Sequence, residues 1–256
     1  MKQSSLGFTK NILGIKGIII IIALSISYQI YIDNFVDQEE FSFADVSYGI
    51  TSFVVGIVSL IVAKRYKGSP VFGKSYFALG IGFITIFVGD LIYNYYSLVL
   101  EEDPYPSIAD AFFLGFYVFA GYHLVKNIKY FKKNLSVTSK LGVPIIASLL
   151  IGGFGLFTIE TLNDDPTVYF MGILYVSASA TILSLAIFGA TIFRNSVLGM
   201  AWFMLVIGIF IYSFTDVWYY YIEELGEYTT IHPVNTLWLI AYMFMIYALY
   251  RHKKII

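Results

Sequence analysis

Residues 90–124 read DLIYNYYSLVLEEDPYPSIADAFFLGFYVFAGYHL, and this stretch decides the fold. A lone carboxylate, Asp90, stands inside an apolar run that leaves through Glu101, Glu102 and Asp103. A second apolar run begins after Pro104-Tyr105-Pro106-Ser107. Two long apolar segments joined by a short acidic turn predict a helical hairpin that crosses a bilayer, whose hydrocarbon core of about 30 Å takes about 20 residues of helix. A similar stretch, TDVWYYYIEELGEYTTIHPVNTLWLIAYMFMIYAL, occupies residues 215–249.

The remainder of the chain has the same character. Its 256 residues are 58% hydrophobic and only 13% charged, with a mean hydropathy of +0.76. A soluble domain cannot cover that much apolar surface, so the class is integral membrane. The apolar runs fall near residues 12–31, 46–63, 76–99, 108–125, 141–159, 168–193, 197–221 and 234–250. They are continuous rather than alternating, which favours helices over barrel strands. The expected fold is therefore all-α, a polytopic membrane protein with eight transmembrane helices. Ala23-Leu24-Ser25 could serve a signal peptidase, but the first run is longer than a signal core and reads as a retained span.

Charge sets the expected sidedness. All 16 Lys and Arg residues fall with the N-terminus, the loops after even-numbered runs, and the C-terminus, whereas 14 of the 17 acidic residues fall in the opposite loops. The positive-inside rule then places the protein in the cell membrane with both termini cytoplasmic. A net charge of −1 gives no bias toward nucleic acid. The longest segment between runs, near residues 126–140, is too short for a soluble domain. The expected partners are the lipid bilayer and a cytoplasmic signalling protein or membrane complex. The absence of cysteine excludes disulfides and thiol chemistry, and three scattered histidines argue against a histidine-rich metal site, so no cofactor is expected.

Runs one to four and five to eight start on the same side, which predicts a parallel 4+4 repeat with units 1–133 and 134–256. Aligning Tyr117 with Tyr242 pairs Asp110 with Asn235, Phe113 with Trp238, Leu114 with Leu239 and Tyr122 with Tyr247. One extra residue in the later loop brings Asp90 onto Asp216.

The three acids outside the acidic loops are Asp90, Asp110 and Asp216. An intramembrane carboxylate costs at least about 2.5 kcal/mol on insertion scales, so each must be paired, protonated or facing water. No basic residue is predicted at that depth. The expected partners are tyrosines close in sequence: Tyr93 for Asp90, and Tyr212, Tyr219, Tyr220 and Tyr221 for Asp216. The functional reading is an outward-opening pocket for a small ligand or cation, lined by Asp90, Asp110, Asp216, Asn235, Tyr93, Tyr117 and Tyr242. Ser107 and Asp110 also have the spacing of a helix start, with Ser107 as cap and Asp110 in the first turn. Gly80, Gly82, Gly89, Gly115, Gly121 and the run Gly152-Gly153-Phe154-Gly155 predict close helix approach. His123 and His232 read as capping or interfacial residues at opposite ends of the bundle. No nucleotide loop or serine nucleophile motif is present, and the seventh run has no lysine for a retinal Schiff base.

Pro106-Ser107-Ile108-Ala109-Asp110-Ala111-Phe112-Phe113-Leu114-Gly115-Phe116-Tyr117 resembles the multi-pass membrane region found ahead of GGDEF, EAL and some histidine kinase domains. Asn235-Thr236-Leu237-Trp238-Leu239-Ile240-Ala241-Tyr242 is similar to a second element of that region, with Asn where Asp is usual. The resemblance implies a sensory or regulatory membrane module. A second one is to the lysoplasmalogenase family of eight-span membrane hydrolases, through Gly89-Asp90, Phe112, Gly115, Phe119, His123 and Ser213-Phe214-Thr215-Asp216. It implies Asp90, His123 and Asp216 as catalytic residues. The leading expectation is a sensor-like or scaffold module; the alternative is an intramembrane lipid hydrolase, with a transporter third.

Overall fold

The computed structural model describes residues 3–35, 43–102, 104–132, 137–193, 199–226, 228 and 232–255. Of the charges that set the expected sidedness, Lys2, Asp37, Glu39, Glu40, Asp103, Lys133, Arg194 and Glu227 lie outside these residues. So do the side chains of Lys10, Asp33, Asp45, Lys140, Lys253 and Lys254.

The described chain is all-helical. In order come α1 (Gln3–Phe35), α2 (Phe43–Arg65), α3 (Phe72–Tyr95), α4 (Ile108–Phe131), α5 (Val137–Phe157), the one-turn α6 (Thr161–Asp164), α7 (Pro166–Phe193), α8 (Gly199–Glu224) and α9 (Pro233–Ile255). Five segments are long and apolar enough to cross a membrane: Phe72–Leu100, Ile108–Phe131, Pro166–Ile192, Ala201–Glu224 and Pro233–His252. Lys16–Ile32 within α1 and Leu141–Phe157 within α5 are shorter apolar helices. The outer surface has matching chemistry. Val118 and Leu149 are each 71% exposed and Leu156 is 78% exposed, a cost in water and none in lipid.

Local sequence sets the helix ends. Ser107 is extended and caps α4: its Oγ accepts from the Ala109 amide at 3.2 Å, while Asp110 Oδ2 accepts from the Ser107 amide at 2.6 Å. This reciprocal capping box satisfies donors that the first turn leaves open. At its far end α3 widens into a π-turn, Tyr96–Leu100, which Glu101 terminates in a left-handed conformation. Gly226, at φ +66°, performs the same role just past α8.

Six helices pack in a closed ring, α2–α3–α4–α7–α8–α9 and back to α2, with α1 lying on α9 and α5 on α7. Tyr76, Leu79 and Phe83 of α3, Phe116 and Leu124 of α4, Ile182 of α7, Leu205 and Ile209 of α8, and Met245 and Leu249 of α9 fill one core. An aromatic chain runs through it: Phe83–Phe116 at 4.9 Å between centroids, Phe116–Tyr212 at 5.0 Å and Tyr212–Tyr242 at 5.6 Å. In lipid, such close packing and buried hydrogen bonds, rather than exclusion of water, hold helices together.

Glycines admit the closest crossings, though not all those expected. A methyl group on Gly82 would stand 3.0 Å from Phe119 Cβ, and one on Gly89 would stand 2.7 Å from Phe113 Cε1. Gly56 and Gly80 face each other's carbonyls across α2 and α3 in the same way. Gly115, by contrast, has only ordinary contact with Thr85 at 3.6 Å, and nothing lies within 4 Å of a methyl on Gly152. Those two do not mark crossings; each lies on a face where the neighbouring backbone stays back.

Candidate functional site

The acidic end of the bundle is organised by carboxylates and aromatic rings. Asp216, on α8, is 4% exposed. Its Oδ2 accepts from the Tyr117 hydroxyl of α4 at 2.9 Å, and its Oδ1 accepts from the Trp238 indole N–H of α9 at 2.8 Å. Ser179 of α7 donates to the Tyr117 oxygen at 3.0 Å. Three helices thus meet at one carboxylate, with α7 joined through the Tyr117 hydroxyl, and among the described residues it has no cationic partner. These partners correct the expectation drawn from chain proximity. Tyr212, Tyr219, Tyr220 and Tyr221 share the helix of Asp216, whereas its donors come from two other helices, because a buried side chain points across the ring.

Asp110 has a second connection besides the cap. Its Oδ1 accepts from the Tyr175 hydroxyl of α7 at 2.5 Å, and Tyr175 stacks on Tyr220 at 4.9 Å. Tyr105, in the turn before α4, lies near the same acid. Burial first, then the charges of Asp110 and Glu224, push its hydroxyl above the ordinary phenol value, so it stays protonated. Asn235, 3% exposed, accepts from the Tyr228 hydroxyl at 3.1 Å. His232 caps α9, its Nδ1 accepting from the Val234 amide at 3.2 Å, in line with a capping role.

Asp90 is half-buried and packs toward Gly49 of α2, where an added methyl group would stand 3.4 Å from its Oδ2. Tyr212 and Tyr242 lie within electrostatic reach of both Asp90 and Asp216. Tyr93, 41% exposed, is on the outer surface.

His123 belongs to a different cluster at the basic end. Its Nδ1 lies 2.7 Å from Ser75 Oγ, and Asn127 Nδ2 donates to Ser75 Oγ at 2.6 Å and to the His123 carbonyl at 2.7 Å. Ser75 precedes Asp90 by fifteen residues of α3, roughly 22 Å of helix, so His123 and Asp90 are not brought together. Nor is His123 interfacial, since it is fully buried. His252, near the end of α9, is also buried. Its Nε2 is 2.8 Å from the Tyr76 hydroxyl, and the imidazole tautomer sets which of the two donates. Trp202 packs against both imidazoles, with centroids at 6.3 Å from His123 and 4.8 Å from His252. The i,i+4 pair His123/Asn127 was the available sequence signal for this cluster.

Fold and site together define a helical membrane protein with two buried polar centres, one acidic-aromatic and one imidazole-aromatic. No family model, curated protein or solved structure matches the chain.

Proposed function

We propose that the chain is an eight-span module of two parallel four-helix units, 1–133 and 134–256, that receives a small cation at the Asp216 centre from the acidic face. In this reading the acidic face is extracellular, both termini are cytoplasmic, and the module is sensor-like, passing occupancy to a partner at the basic face.

Packing supports the repeat. The alignment that sets Asp90 on Asp216 also sets Gly82 on Gly208, and the one that sets Tyr117 on Tyr242 sets Phe116 on Ala241. A methyl group on Gly82 would stand 3.4 Å from the Phe116 carbonyl oxygen, and one on Gly208 would stand 3.2 Å from that of Ala241. The same glycine meets the same carbonyl in each unit. The ring contacts are in keeping with the pairing, α2·α3 with α7·α8, α3·α4 with α8·α9 and α4·α7 with α9·α2, whereas α1 on α9 and α5 on α7 fall outside it.

The observation that carries the functional reading is the uncompensated carboxylate of Asp216, buried beside Trp238 and Tyr117. Two oxygens that accept one donor each retain lone pairs that can coordinate a cation in a site shielded from water. Thermal unfolding of the purified full chain tests this with sodium, potassium, choline and tetramethylammonium. One of these should raise the midpoint, since a ligand at a hundred times its Kd adds about 2.7 kcal/mol. Asp216→Asn should abolish the rise. Protection by none of the four, or equal protection of the Asn variant, overturns the reading.

A further inference from the structure

A second site lies far from the carboxylates. A groove of about 820 Å³ opens between the end of α2, the turn that follows it, α3 and α4. Its mouth carries Lys64, Lys67 and Lys74 together with Ser69. All three lysines are exposed, and none has a carboxylate partner among the described residues. Below them the wall turns apolar, with Phe77, Ile81, Val118 and Phe119. From Lys74 to Ile81 is seven residues, roughly 10 Å along the helix.

We infer that this groove binds an anionic phospholipid, its phosphate held by Lys64, Lys67 and Lys74 and one acyl chain laid along Phe77, Ile81 and Val118. Three positive charges at one end of a trough match an acidic headgroup. The apolar continuation matches a chain attached to that headgroup and has no use for a free anion. Basic pockets between membrane helices select anionic headgroups by this combination of charge and wall. Phe77 is 55% exposed and Val118 71%, so the trough is open to lipid along its length. Lys126 stands apart, its ammonium over the Tyr122 ring at 5.8 Å on the same rim, where it adds to the field without entering the groove wall.

The test uses the purified full chain in a neutral detergent, titrated with phosphatidylglycerol or phosphatidylcholine of identical acyl chains, with binding read by native mass spectrometry and by the unfolding midpoint. Inorganic phosphate and glycerol phosphate form separate arms. Phosphatidylglycerol should bind and raise the midpoint, and phosphatidylcholine should not. The triple variant Lys64→Gln, Lys67→Gln, Lys74→Gln should bind phosphatidylglycerol roughly a hundredfold more weakly, a factor of about five per lysine. Val118→Trp leaves the lysines in place and fills the trough from an exposed position, so it should weaken the lipid while leaving phosphate-arm behaviour unchanged. Lys129→Gln with Lys132→Gln, outside the groove, should change little. Equal binding of the two lipids overturns the assignment. So does an equal loss in the control variant, competition by inorganic phosphate at the lipid's own concentration, or undiminished binding by Val118→Trp.

Discussion

Tyr117 donates its hydroxyl to Asp216 across the ring, from α4 to α8, at 2.9 Å, and receives the Ser179 hydroxyl at 3.0 Å on the same oxygen. One phenol therefore ties α4 to both of the consecutive helices α7 and α8.

Replacing that phenol should be costly. Tyr117→Phe leaves Ser179 without its acceptor and Asp216 with one donor, and the expected loss is about 1–3 kcal/mol of unfolding free energy. Paired with Asp216→Asn in a double-mutant cycle, the two should couple by at least about 0.5 kcal/mol. Additive losses would mean the bond carries no energy of its own.

Gly82 and Gly208 should respond alike. Gly208→Ala drives a methyl to 2.5 Å from Met245 Cγ and 3.2 Å from a fixed carbonyl, and Gly82→Ala meets Phe119 and Phe116. Each should destabilise by about 1–3 kcal/mol, while Gly152→Ala should be neutral or gain a few tenths from helix propensity. Chemical unfolding of the three variants in one detergent checks the order, and a harmless Gly208→Ala contradicts it.

At the start of α4 the cap and the bridge can be separated. Ser107→Ala removes the cap alone, for which about 0.5–2 kcal/mol is expected. Asp110→Ala removes the reciprocal bond and also leaves the buried Tyr175 hydroxyl unpaired, so it should cost more than Ser107→Ala. The reverse order, measured by thermal unfolding, would show that the Tyr175 contact is dispensable.

The histidine cluster makes a parallel case. Tyr76→Phe deletes the hydroxyl bonded to His252 Nε2 in a fully buried position, and a loss of about 1–3 kcal/mol is expected. His252→Gln, whose amide can donate or accept, should retain part of the difference. If Tyr76→Phe unfolds at the parent midpoint, the α3–α9 bond is not structural.

Residue chemistry alone makes some of this legible. The apolar runs located the long helices because backbone in lipid must satisfy itself, and Ser107 announced its cap because that interaction spans only three residues. The short helix Thr161–Asp164 and the π-turn after Tyr95 left no mark, since each alters the pattern by a turn or less. Partner choice was the larger gap. Asp216 took Tyr117 and Trp238 rather than the tyrosines beside it, and which helices face each other is set by ring order, which no periodicity encodes. His252 was obscured by its neighbours: beside Arg251, Lys253 and Lys254 it counts as one more terminal charge, although its side chain turns inward to Tyr76.

Closure of the ring has a consequence for how the protein is made. Helix α9 touches α1, α2 and α8, yet follows all three in the chain. It brings Trp238 to Asp216 and His252 to Tyr76, one at each end of the bundle. During synthesis the earlier helices must wait in the bilayer with a buried acid and a buried phenol lacking these partners. Quality control that surveys membrane proteins for unsatisfied polar groups would see this chain as unfinished until α9 slots between α8 and α2.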